Sequence, residues 1–134
     1  MYLVDTSVWV NYLRGLKTSR VEILKTLLTG DEVVGITPVI LQEILQGADS
    51  EERFNKWLQY FKGLCCYTIP EPESHIAAAR IYQACRKKGR TPRSSNDCLI
   101  AQTAIEHGLI LLHDDRDFEA IAAVTNKLRL YLKG

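Results

Sequence analysis

Short apolar runs alternate along this chain with longer segments of helical period, and a glycine closes every helical segment but the last. That alternation constrains the fold most, because a short strand that is apolar throughout has to be covered on both faces. Tyr2-Leu3-Val4 is such a run, halted by Asp5-Thr6-Ser7, residues that favour helix N-caps. A helical pattern follows through Val8, Trp9, Tyr12 and Leu13 and stops at Gly15. Ser19 opens a second helix, with Val21, Leu24, Leu27 and Leu28 on its apolar side and Gly30 at its end. Residues 32–36 (Glu-Val-Val-Gly-Ile) read as a buried strand. Thr37-Pro38 then supplies an N-cap with proline at the first helical position, and the helix runs from Val39 to Gln46 before Gly47.

Ser50 and residues 53–62 form an amphipathic helix with Phe54, Trp57, Leu58 and Phe61, ended by Gly63. Residues 64–69 are β-rich and read as a third strand before the breaker Pro70-Glu71-Pro72. The cleanest helical period spans residues 73–88, with Ala77, Ala78, Ile81, Tyr82 and Cys85 on one face. A polar loop, residues 90–96, leads into a helix from Asp97 to His107, and residues 109–112 read as a fourth buried strand. A charged connection, a short helix through about Ala123 and an edge strand near residues 128–132 complete the chain. The pattern predicts an α/β architecture with a parallel sheet covered on both faces.

The 134 residues suit a single domain, and a composition that is 46% hydrophobic and 25% charged can supply its core. No apolar run approaches the roughly 20 residues of a membrane-spanning helix, and no basic segment precedes the N-terminal apolar run, so no membrane partner and a cytoplasmic location are expected. Net charge is +1 and selects no partner: an acidic metal site would offset basic residues elsewhere. Cys65, Cys66, Cys85 and Cys98 lack the Cys-x-x-Cys spacing of zinc sites and read as reduced, small apolar residues.

In open α/β sheets ligands bind beyond the carboxyl ends of the strands. Asp5 directly follows the first strand, and Asp114, Asp115 and Asp117 follow the fourth. Asp97 lies in the first turn of the helix leading to that fourth strand, and Glu43 lies early on the helix after the second, beside Leu41 and Ile44. Carboxylates arriving from separate elements suit a hard octahedral cation such as Mg²⁺, which would offset their repulsion and support phosphodiester hydrolysis. Each acid also fits a plainer role. Asp5 and Asp117 suit helix capping, Asp97 suits a helix N-terminus, Glu43 suits a solvated helix position, and Asp114 suits a loop.

The ordered set Leu3-Val4-Asp5-Thr6-Ser7, Leu41-Gln42-Glu43-Ile44, residues 96–101 (Asn-Asp-Cys-Leu-Ile-Ala) and His113-Asp114-Asp115-Arg116-Asp117-Phe118 resembles the PIN domain, in particular the VapC-type toxins of prokaryotic toxin–antitoxin pairs. The likeness extends along essentially the whole chain and includes the Lys88-Gly89-Arg90 turn. It implies a three-layer α/β/α sandwich with a central, mainly parallel sheet, and endonucleolytic cleavage of RNA with Mg²⁺ or Mn²⁺. Its catalytic and metal-binding acids fall on Asp5, Glu43, Asp97 and Asp115, with Asp117 as an accessory acid and Thr6 or Ser7 as a supporting hydroxyl. A cognate antitoxin and a homodimer are implied as partners. The chain departs from the pattern at His113, where a hydroxyl residue is common.

Arg86, Lys87, Lys88, Arg90 and Arg93 form a basic run leading to Asp97. The first three suit a helix C-terminus, whereas Arg90 and Arg93 are candidates for RNA phosphate contacts. Trp9, Tyr12, Phe54, Trp57 and Phe61 fall at helical spacing and divide between core and a partner groove. Two other readings remain: another Mg²⁺-dependent phosphoryl-transfer enzyme, and a non-catalytic binding domain. Ser7 stands where a haloacid-type phosphatase needs its second Asp, and no Lys follows the fourth strand as in a receiver domain.

Overall fold

The computed structural model describes residues 1–132. Five strands form one sheet: β1 (Tyr2–Val4), β2 (Val34–Ile36), β3 (Cys65–Cys66), β4 (Ile110–Leu112) and β5 (Arg129–Leu130). Every pairing is parallel, in the order β3-β2-β1-β4-β5. The first strand is therefore central, with Leu3 facing Gly35 on one side and Leu111 on the other. Two helices cover each of the first crossovers: α1 (Thr6–Leu13) and α2 (Ser19–Thr29), then α3 (Pro38–Gln46) and α4 (Glu51–Lys62). The return crossover carries α5 (Glu73–Lys87) and α6 (Asn96–His107), and α7 (Asp117–Val124) joins β4 to β5. Helices α1 to α4 pack among themselves, as do α5, α6 and α7. Right-handed crossovers running outward in opposite directions from β1 put these two groups on opposite faces, which makes the α/β/α sandwich.

The local signals explain most boundaries. Thr18, Thr37 and Ser50 cap their helices by accepting the backbone N–H of Val21, Ile40 and Arg53. The cap of α2 is thus Thr18, one residue ahead of the Ser19 start. Gly108 ends α6 in the left-handed region at φ 63°, where a side chain is costly, and turns the chain into β4. Leu3, Val4, Leu111 and Leu112 are fully buried between the layers. On one face Trp9 meets Phe61 edge-on at 4.9 Å between ring centroids. Trp9 and Phe61 are thus core, Tyr12 and Trp57 are half-buried, and Phe54 is exposed.

Two expectations need correction at the β3 edge. The β-rich run 64–69 yields only Cys65–Cys66 as strand, because Tyr67 makes the last ladder bond, its N–H to the Ile36 carbonyl at 2.8 Å, before Pro70 intervenes. Cys65 and Cys66 are exposed on this edge rather than packed, while Cys85 and Cys98 are buried; all four are free thiols. Gly35 beside them answers to space: an added Cβ would lie 2.3 Å from Tyr67 Cε2 and 2.8 Å from the Cys65 carbonyl oxygen. We expect Gly35→Ala to destabilise the fold by roughly 1–3 kcal/mol, as overpacking does. A urea midpoint equal to wild type would contradict that packing.

Candidate active site

The chain order reverses at β1, from which β2 and β3 extend to one side and β4 and β5 to the other. The crevice beyond β1 and β4 is therefore the topological switch point where ligands bind in such sheets. Asp5 is held there by its own N–H, which donates to the Leu112 carbonyl at 2.9 Å and ties the ends of the two strands together. Its Oδ2 caps α1, accepting from the Ser7 N–H at 3.0 Å and the Ser7 hydroxyl at 2.7 Å. The same Ser7 hydroxyl oxygen accepts the Asp114 N–H at 2.9 Å, so one side chain couples the loops after β1 and β4. Capping and site membership coexist at Asp5, since among the described residues Oδ1 is not engaged by the cap.

Glu43 reaches the same cleft from α3, half-buried, with Oε1 accepting the Thr6 hydroxyl at 2.7 Å. Asp97, in the first turn of α6, is 8% exposed, yet its carboxylate accepts no hydrogen bond among the described residues. Asp115 and Asp117 enter from the loop after β4; Asp115 Oδ1 accepts the Asp117 N–H at 3.0 Å. Asp117 is the first residue of α7, and its carboxylate serves Arg93 rather than capping that helix. Asp97, Asp115 and Asp117 each offer an oxygen within 4.8 Å of the others. Together Asp5, Thr6, Ser7, Glu43, Arg93, Ser94, Asp97, Asp115 and Asp117 line one cleft of about 370 Å³. Arg93 lies among the acids, whereas Arg90 is exposed at the exit of α5, outside the cleft lining.

His113 is 7% exposed, which leaves it no surface for an RNA contact. Its Nδ1 accepts the Asp115 N–H at 3.1 Å, and its ring packs on Phe118 at 5.2 Å. Burial, and then the nearby Arg20 charge, hold its pKa below the ordinary value, which keeps the ring neutral and able to accept. A serine or threonine oxygen can take an N–H two residues on in the same way. The imidazole thus makes a local bond that a hydroxyl at this position could also make. Arg20, on α2, donates Nε to the His113 carbonyl at 3.0 Å. Sequence reasoning missed Arg20, since a contact across 93 residues leaves no periodic signal. It also missed Ser94, whose polar loop setting resembles any solvated turn.

Two of these carboxylates, Asp97 and Asp5, resist ionisation. Asp97 is pushed up to about 7, chiefly by burial and then by the charges of Asp5, Asp115, Asp117 and Glu43. Asp5 is also raised by burial, with the Ser7 hydrogen bonds opposing and Glu43 adding to the rise. A buried carboxylate without hydrogen-bond donors, beside further carboxylates, fits a divalent cation with oxygen preference, which Asp97, Asp115 and Asp117 could hold. The unfolded-state value of an Asp is about 3.9, so in metal-free protein Asp97 contributes stability that is full below about pH 4 and lost as pH rises to about 7. In chelator, the melting temperature of wild type relative to Asp97→Asn should therefore fall across that window and level off above it. A constant difference would contradict the crowding.

The PIN domain family profile matches residues 2–124. Ribonuclease VapC11 of Mycobacterium tuberculosis is 39% identical over 127 residues, covering 94% of this chain and 95% of the relative. Ribonuclease VapC51 of the same organism is 30% identical over 128 residues, covering 94% and 88%. Among solved structures, VapBC2 from Rickettsia felis bound to a promoter DNA fragment superposes with a TM-score of 0.73 at 20% identity, covering 97% of this chain and 96% of that one. FitAcB from Neisseria gonorrhoeae gives 0.66 at 20% identity, covering 98% and 97%. The structural likenesses speak for the fold, and the sequence matches for the lineage: the chain belongs to the PIN domain family, among its VapC-type ribonucleases.

Proposed function

We propose that this protein is a Mg²⁺- or Mn²⁺-dependent endoribonuclease acting as the toxin of a toxin–antitoxin pair. The observation that carries the reading is the meeting of Asp5, Glu43, Asp97, Asp115 and Asp117 in one cleft at the sheet's switch point. Asp97, Asp115 and Asp117 would hold the ion together with Asp5 at the end of β1, and Glu43, steadied by Thr6, faces them from α3. When bound, the divalent ion supplies Lewis acidity to the phosphodiester and lowers the pKa of an attacking water. Ser7 fixes the rotamer of Asp5, and His113 fixes the backbone that presents Asp115, so the acids are preorganised. Arg90 and Arg93 supply positive charge for RNA phosphates on the α5–α6 side of the cleft.

A second cleft of about 400 Å³ lies between α1, α3 and α4, lined by Val10, Leu13, Ile44 and Trp57 with Arg14, Asp49 and Arg53 at its polar margin. It shares Glu43 with the acidic cleft, so a helix docked there would lie against the active site. This is where we place the antitoxin, as an amphipathic helix. The VapBC complexes among the structural relatives favour such a partner. A homodimer completes the proposed assembly, with α5 offering Ile76, 55% exposed, and half-buried Tyr82, which line one shallow surface cleft. A cytoplasmic site of action fits the four free thiols and the absence, among the described residues, of a helix long and apolar enough to cross a membrane.

The test is cleavage of total cellular RNA by purified protein with Mg²⁺ or Mn²⁺, with chelator, and for Asp5→Asn and Asp97→Asn. Discrete fragments from wild type with metal, and none with chelator or from either variant, are expected. Cleavage that persists in both variants would move the chemistry to another site. Binding of the antitoxin offers a separate check: Trp57→Ala, which removes an aromatic wall of the second cleft, should weaken association by about tenfold or more, as hot-spot truncations do.

A further inference from the structure

The cleft carries its own cation. Arg93, in the loop before α6, reaches across to the start of α7. Its Nη2 donates to Asp115 Oδ1 at 2.8 Å and its Nε to Asp117 Oδ2 at 3.2 Å. Its backbone N–H also donates to Asp117 Oδ2, at 3.0 Å. These carboxylates are two of the three that lie within 4.8 Å of one another, the third being Asp97. The guanidinium thus lies against the groups a divalent ion would need. Of the cleft-lining residues it is the one with a fixed positive charge, against the acids at 5, 43, 97, 115 and 117.

We infer that Arg93 is a tethered counter-cation of the acidic cleft, which a divalent ion must displace in order to bind. This rests on the metal-dependent reading above and adds to it a built-in threshold for loading. The side chain is 73% exposed, so no wall of packed residues holds it in place. What holds it is charge and hydrogen bonding to the two half-buried acids, and with the guanidinium itself open to solvent these pairs can exchange. The backbone bond to Asp117 is independent of the side chain, so the loop stays anchored when the guanidinium leaves. A displaced Arg93 remains at the rim of the cleft, where its planar fork suits an RNA phosphate. Metal entry and a free phosphate-binding arginine are then one event.

The test is Mn²⁺ binding by titration calorimetry at low salt and pH 8, on full-length wild type and on Arg93→Ala, Arg93→Gln and Arg93→Lys, with circular dichroism to confirm folding. Arg93→Ala and Arg93→Gln should bind Mn²⁺ several-fold more tightly, because the ion no longer has to break the two ion pairs that hold the guanidinium. Arg93→Lys, which keeps the charge, should stay close to wild type. Unchanged or weaker binding in the two neutral variants, with wild type binding normally, would overturn the inference and make Arg93 a strut for Asp115 and Asp117. If neither wild type nor any variant binds Mn²⁺, the metal-dependent reading itself falls.

Discussion

The pairing of β1 with β4 is the contact on which the site depends. Leu3 and Val4 align with Leu111 and Leu112 at full burial, and the Asp5 N–H extends the ladder one residue further to the Leu112 carbonyl. That register brings the end of β1 beside the loop that carries Asp115 and Asp117. A slip by one residue in this pairing would shift every side chain by one position and separate the acids. Ser7 and His113 then refine what the register sets, one through the Asp114 N–H and the other through the Asp115 N–H. Arg20 holds the His113 carbonyl from outside the sheet, so the loop is braced from α2 as well.

The cleft is electrostatically frustrated by construction. Asp97 is nearly buried and lacks donors among the described residues, while Asp5, Asp115, Asp117 and Glu43 surround it. Stability alone would not select that arrangement, because an uncompensated buried carboxylate is costly. Places where local rules are broken without local compensation are where function resides. Arg93 supplies part of the missing compensation, and it does so from an exposed loop rather than from the packed core.

The fold class and the order of the elements could be read from local signals. Capping at Thr37 and Ser50, the glycine stops and the apolar runs around Leu3 and Leu111 all act over a few residues, so they are written locally. The weak places were the edges. β3 is two residues where six were expected, and Cys65 and Cys66 are exposed. A β-rich composition does not reveal how far a ladder extends, because the ladder's length depends on its neighbour. The roles of Trp9, Phe61, Trp57 and Phe54 divided in the same way: period placed them on helices, and packing decided which faces were buried.

For the site, the residue types available could be read along the chain, as could the position of Asp5 and Asp115 after strands, which in a parallel sheet puts both at its carboxyl edge. The chain also carries the ordered motifs that mark the family. Folding had to bring the elements together before Arg93 could bond to the acids instead of standing apart as a surface charge, before His113 could be buried and accept a backbone N–H, and before Arg20 could reach the loop at all. The physical reason is range. Capping, turn formation and amphipathic period are set within a few residues of chain, whereas an ion pair or a hydrogen bond between separate elements exists only once the sheet register and helix packing have fixed where each side chain ends.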